Sequence, residues 1–331
     1  MELPWKNRRV TFEQFMDFCL YDPDRGYYTS KENIFGPEGD YYTTPSVHPF
    51  LAHCLTEAAV YYFEQLGQPQ CFHLVELGSG QGILGQDLLR HLRNNYPKVF
   101  ERSQYIPLEI TSPDFPDEIF GFVFSNEFFD ALPVHRVLTR GSGLQEIYVQ
   151  INDQISEVKG EISDSRIWDY MKIGFRQWND GYEYEVNLRM VEILEALDAR
   201  LKSGVILTID YGYSAEDYTC LDHPQGTMTC YYRHQAHANP YVNLGLQDIT
   251  SHVNFEVLVK TGERLGWKNG VLRTQRQFLL DYGLKDYLRC EEAHGFFNAE
   301  RVEERLRLKT LLSPGGISDT MKVMEQRVRL E

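Results

Sequence analysis

Residues 73–82 read HLVELGSGQG. An apolar run meets an acid, Glu76, and ends at Leu77; glycines then alternate at Gly78, Gly80 and Gly82. A short apolar run bounded by a glycine turn reads as a buried strand, and the glycines let backbone approach a ligand closely. The stretch ILGQDLLRHLRNNY that follows has helical periodicity. Strand, glycine turn and helix together open a nucleotide-binding α/β unit. G-x-G-x-x-G is matched at Gly80, Gly82 and Gly85, but the register is poor for a dinucleotide turn, whose first glycine should follow Leu77 closely. A pyrophosphate would lie at the helix N-terminus, where the Glu76 carboxylate would repel it. S-adenosylmethionine carries a sulfonium and an ammonium and no phosphate, so Glu76 argues for it over NAD. The plainer alternative is that Glu76 only favours the N-terminus of the helix after it.

Outward from this stretch, strands are expected at 71–77, 104–110, 119–125 and 204–213, with a last strand at 320–328. The 119–125 run is apolar on both faces, as in a parallel strand covered on both sides. Pro107 suits only an edge strand. Helices are expected at 11–20, where Thr11 and Gln14 form a capping-box pair, and at 49–66, 186–202 and 298–312. The order is that of a doubly wound α/β fold. The expected domains are an N-terminal helical cap (1–70), a core (71–135 and 184–331), an inserted antiparallel, substrate-capping region (136–183) and a loop-rich active-site insertion (214–255).

The net charge of −15 argues against a nucleic-acid partner, which needs a basic face. No run has the length of a membrane span, so no membrane partner is expected. Six cysteines without a C-x-x-C suggest free thiols in a reducing compartment. With no apolar or Arg/Ser-rich leader in MELPWKNRRV, a cytoplasmic location is expected. Cys220, His223, Cys230, His234 and His237 lack regular zinc spacing, and no metal site is expected.

A sulfonium cofactor calls for a second acid at the end of the next strand to accept the ribose hydroxyls, and Glu109 is placed for that. A solvated strand-end acid is the equally open alternative. SNEFFDALPVH (125–135) lies where the next strand meets its loop, at the edge where open α/β sheets bind ligands. Asn126 offers an amide to the cofactor. Glu127 and Asp130 could clamp a guanidinium and localise its lone pair. His135 could take the proton released after transfer. Otherwise Asp130 caps a short helix, Glu127 is merely exposed and His135 lies in a surface strand.

Motifs spread along the chain carry a resemblance: TFEQFMDFCLYDPDRGYY (11–28), GDYYTTP (39–45), VELGSGQG (75–82), SNEFFDALPVHR (125–136), IDYGY (209–213), GTMTCYYRH (226–234), NLGLQDITSHVNF (243–255) and the closing TMKVMEQ. The sequence resembles the MidA-like S-adenosylmethionine-dependent methyltransferases, which include a mitochondrial complex I assembly factor that methylates an arginine. The resemblance implies a class I methyltransferase (Rossmann-like) fold with inserted substrate elements. It implies S-adenosylmethionine at Glu76, Gly78, Gly80 and Gly82 with Glu109 at the ribose, and methylation of an accessible arginine in a protein. A non-catalytic assembly factor and a small-molecule methyltransferase remain alternatives. Family members follow the ribose acid with Ser-Pro, a helix and another strand, where this chain has only ITSPDFPDE (110–118). An edge strand after Glu109 is therefore expected to be missing.

Overall fold

Near-continuous burial along Phe72–Leu77 and Ile119–Asn126 makes these the central strands of the larger sheet. The computed structural model describes residues 3–30, 50–109, 115–220, 223–284, 306, 309 and 312–330. The sheet runs Lys268–Asn269, Met321–Val328, Leu201–Tyr213, Ile119–Asn126, Phe72–Leu77, Ser103–Leu108. The last four are mutually parallel, while Met321–Val328 runs antiparallel against Leu201–Tyr213. Among the described residues Ser103–Leu108 has a neighbour on one side only, so Pro107 sits in an edge strand, where a missing N–H is tolerated. No described strand separates Glu109 from Ile119. Among the described residues the sheet therefore ends at Ser103–Leu108 on this side.

The described residues fall into two compact units: 43–128, 195–211 and 262–331 in one, and 1–42, 129–194 and 212–261 in the other. The first holds the large sheet. Helix Phe50–Gln65 packs Leu51, Leu55, Ala58, Ala59 and Tyr62 into a core shared with Leu88 and Leu92 of helix Ile83–Asn95 and with Phe122 and Phe124 of the sheet. Each leucine and phenylalanine of this set stabilises by about 1.5–3 kcal/mol when fully buried.

In the second unit, strands Arg8–Thr11, Gly143–Ile151, His135–Arg140 and Glu183–Val186 form an antiparallel sheet with Ile155–Gly160 on the far side of Gly143–Ile151. Helix Phe12–Tyr21 begins with the expected capping box between Thr11 and Gln14. Its buried Phe12, Phe15, Met16, Cys19 and Leu20 join Val134, Val149 and Ile151 in a separate core.

One expected boundary is corrected. Residues 1–70 are not one cap: strand Arg8–Thr11 is drawn to Tyr148–Ile151, while helix Phe50–Gln65 is drawn to the large sheet. The antiparallel sheet that contains the strands of 136–183 also takes in Arg8–Thr11 and Glu183–Val186. The helix expected across 298–312 lies almost wholly outside the described residues. Cys19, Cys54, Cys71 and Cys230 are free thiols, and no helix among the described residues is long and apolar enough to cross a membrane.

Candidate active site

The carboxyl ends of the parallel strands form one rim. Leu77 lies beside Ser125, and Asn126 beside Ile209. Two backbone bonds fasten the rim: Gly78 N–H donates to Leu108 O at 2.7 Å and Glu127 N–H to Ile209 O at 3.0 Å. Ligands of open α/β sheets bind outside this edge.

The glycine turn requires its glycines. Gly78, Gly80 and Gly82 have φ of 71°, 51° and 72°, a region that side chains disfavour. A Cβ on Gly78 would also lie 2.6 Å from Cδ2 of Phe128. Glu109 is exposed and reaches back to the turn, where its Oε1 accepts from Ser79 Oγ at 2.6 Å and from Gly80 N–H at 2.7 Å. Glu109 and the glycine turn are thereby held as one surface.

Glu76 does not stand at the lip of the turn. It is 3% exposed and lies beneath it, with Tyr105 Oη donating to its Oε2 at 2.5 Å. A Cβ on Gly85 would come within 2.2 Å of that phenol oxygen and 2.5 Å of Glu76 Oε2, so the third glycine of the sequence match serves this pair. Burial raises the Glu76 carboxyl to about 7, against the lowering effect of the Tyr105 hydrogen bond and with a further upward push from the Glu109 charge. A cation bound above would draw this group to its ionised form.

Beyond Asn126 the chain kinks. Glu127 has φ of 52°, a left-handed backbone in a non-glycine residue, of the kind that concentrates at functional sites. Two features hold the kink. Asn126 Nδ2 donates to Glu127 Oε1 at 2.9 Å. Asp210, fully buried, accepts the Phe128 N–H at 3.2 Å and the Tyr211 N–H at 2.9 Å. Asn126 Oδ1 is buried and accepts no hydrogen bond among the described residues. A buried acceptor left open at a ligand-binding rim fits a ligand that brings a donor, as an ammonium or ribose hydroxyl does. The residues present therefore fit S-adenosylmethionine.

Asp130 and His135 belong to the second unit. Asp130 is 7% exposed, and its carbonyl accepts from Ser251 N–H at 3.0 Å. His135 opens strand His135–Arg140, with Nδ1 2.8 Å from Oε1 of Glu146. Glu146 is fully buried and also accepts from Ser163 N–H at 2.6 Å. Burial pushes its carboxyl up, but the bonds from His135 and Ser163 outweigh this and hold it below its ordinary range. An ionised Glu146 can only accept, so His135 Nδ1 carries a proton and donates it. The structure thus gathers Glu76, Gly78, Gly80, Gly82, Glu109, Asn126 and Glu127 in one unit and places Asp130 and His135 in the other. Sequence reading missed Tyr105, Asp210 and Glu146. Of these only Asp210, within the quoted IDYGY, left a signal.

A parallel sheet with an antiparallel Met321–Val328, a glycine turn after its Phe72–Leu77 strand and an acid after the next define a class I methyltransferase. The crystal structure of a superfamily member from Burkholderia thailandensis bound to S-adenosyl-homocysteine superimposes with a TM-score of 0.82 at 24% identity, over 98% of this chain and 89% of that one. The fold is therefore shared. The chain belongs to the family described as "Putative S-adenosyl-L-methionine-dependent methyltransferase", matched at residues 54–115 and 111–271, and it is an S-adenosylmethionine-dependent methyltransferase. Protein arginine methyltransferase NDUFAF7, mitochondrial, is similar in Xenopus laevis, at 23% identity over 95% of this chain and 83% of that one. In Homo sapiens the figures are 25%, 92% and 80%. The names of these relatives overturn the cytoplasmic expectation. Free thiols report a reducing environment, which more than one compartment provides, and so do not identify the cytosol.

Proposed function

We propose that this methyltransferase acts on a terminal nitrogen of an arginine side chain in a protein substrate. The observation that carries the reading is the Asn126–Glu127 pair, a carboxylate held by its neighbouring amide on a left-handed kink at the rim. The arginine methyltransferase names of the relatives point the same way. A carboxylate matches the planar donor fork of a guanidinium and orients it. In this reading that carboxylate is Glu127. Within its own unit, Glu146 fixes the His135 tautomer and leaves Nε2 as the acceptor nitrogen of that ring.

The backbone of Gly78, Gly80 and Gly82, the carboxylates of Glu76 and Glu109 and the open Asn126 Oδ1 would hold S-adenosylmethionine. When bound it supplies an electrophilic methyl group on a sulfonium. The chain's task is then to position and desolvate the accepting nitrogen.

The test is labelled methyl transfer to extracts from cells lacking this protein, with the labelled residue located by mass spectrometry. Glu127→Gln should still bind S-adenosylmethionine and lose about 100-fold in transfer, equivalent to about 2.7 kcal/mol of transition-state stabilisation. Full activity in that variant, or label on a residue other than arginine, would sink the reading.

A further inference from the structure

A second group of side chains lies away from the glycine turn. His53 and Glu57 stand four residues apart on helix Phe50–Gln65, hence on one face. His91 comes from the helix packed against it, Ile83–Asn95. His53 Nδ1 lies 2.9 Å from His91 Nε2, and that nitrogen lies 3.5 Å from Glu57 Oε1. One donor atom from each residue falls within 4.8 Å of the others, and this is the group of three such residues found among the described ones. Zinc bonds of about 2.0–2.1 Å in a tetrahedron place donors roughly 3.3 Å apart. The two spacings to His91, 2.9 and 3.5 Å, lie on either side of that figure, and the His53 and Glu57 donor atoms are within 4.8 Å of each other, so an ion would draw the three side chains together.

The surroundings have the form that supports a metal. Tyr96 Oη donates to both carboxylate oxygens of Glu57, at 2.9 and 2.7 Å. The side-chain amide of Asn95 lies 3.1 Å from Nδ1 of His91, the ring nitrogen facing away from the cluster. Ligating histidines and carboxylates are regularly oriented by such outer partners. The same Asn95 amide nitrogen donates to the His91 carbonyl at 3.1 Å, which fixes its orientation. The side chains of His91 and Glu57 are 25% and 27% exposed, which gives an ion a way in and leaves room for water as a fourth ligand. His91 lies eight residues beyond Ile83, or about 12 Å along the helix from the glycine turn.

We propose that His53, Glu57 and His91 form a binding site for a divalent transition ion of the zinc class. The ion would tie helix Phe50–Gln65 to helix Ile83–Asn95. The alternative is a bare hydrogen bond between the two imidazoles, with Glu57 serving Tyr96 alone.

The two can be told apart on the full chain, freed of affinity tags and stripped with a chelator. Titration with zinc chloride alone, followed by calorimetry and thermal melting, should show one ion per chain in the micromolar range or tighter and a rise in Tm. Cobalt(II) should give the visible bands of a four-coordinate site. His91→Gln should abolish one-to-one binding and Glu57→Gln should weaken it by more than tenfold. Tyr96→Phe, which leaves all three ligands in place, should weaken it roughly tenfold. If a ligand variant fails to fold, the wild-type titration and Tyr96→Phe still decide. No one-to-one zinc binding by wild type, an octahedral cobalt spectrum, or equal affinity in wild type and the variants would overturn the site.

Discussion

Glu76 and Glu146 are the same residue type, almost equally hidden from solvent at 3% and 0% exposure, and they are driven in opposite directions. Glu76 lies under the glycine turn with one phenol donating to it and the Glu109 charge nearby, and burial wins, raising it to about 7. Glu146 lies in the antiparallel sheet with the His135 imidazole and the Ser163 N–H both donating to it, and the donors win. Burial alone therefore does not fix the charge of a carboxylate; the number and kind of its donors do. The chemical consequence differs too. Glu76 takes up a proton near neutrality, whereas Glu146 keeps a charge that orients the His135 imidazole.

The most direct way to break this contrast is to truncate both residues. Glu146→Ala leaves the imidazole of His135 and the amide of Ser163 without their partner inside the unit. It should cost about 3 kcal/mol in urea unfolding at pH 7.5. Glu76→Gln keeps the shape and removes a poorly solvated charge, so it should stay within about 1 kcal/mol of wild type. Equal losses would remove the contrast.

Next in size is the pH response. A carboxyl whose folded pKa is raised binds its proton more tightly folded than unfolded. The Glu76 contribution is therefore most favourable below the ordinary 4.5 and declines as pH climbs towards 7, with a slope of at most about 1.4 kcal/mol per pH unit. Glu146 has the opposite sign: its contribution is present above its ordinary pKa and is lost as acid protonates it. Glu76→Gln should flatten the fall between pH 5 and 7 in denaturant titrations without cofactor. It should also abolish a tightening of S-adenosylmethionine binding between pH 6 and pH 8. A wild-type affinity independent of pH would show that Glu76 does not respond to the donor's charge.

What the sequence revealed follows from how local each signal was. The Phe72–Leu77 strand, its glycine turn and the helix after it lie within a contiguous stretch and were legible. So was the edge position of Ser103–Leu108, because Pro107 excludes an interior strand and 110–118 is too short for another crossover. The capping box at Thr11 is likewise local. The side chains that set the electrostatics are not. Tyr105 meets Glu76 across 29 residues, and Asp210 meets Phe128 across 82. Glu146 reaches His135 only once the hairpin register is fixed, with Val137 opposite Glu146. The split of residues 1–70 between two units rests on Arg8–Thr11 choosing Tyr148–Ile151, a pairing no spacing encodes. Nothing local announced that His53 and Glu57 meet His91, 38 residues from His53.

The finest test of the contrast leaves both carboxylates in place. Tyr105→Phe removes the phenol that donates to Glu76 and nothing else of its size. Deleting the donor while keeping the acceptor buried should cost about 1 kcal/mol. Because that hydrogen bond holds the Glu76 carboxyl down, its loss should carry the titration further above 7, towards the neutral acid. The sign is specific. Wild type and variant should differ least at low pH, where Glu76 is protonated in both, and most above neutrality, where the variant must ionise a carboxyl that has lost its phenol donor. The comparison needs only urea midpoints at several pH values. A difference that is constant with pH would mean that Tyr105 contributes packing alone, and that the proton on Glu76 is governed by burial rather than by the phenol.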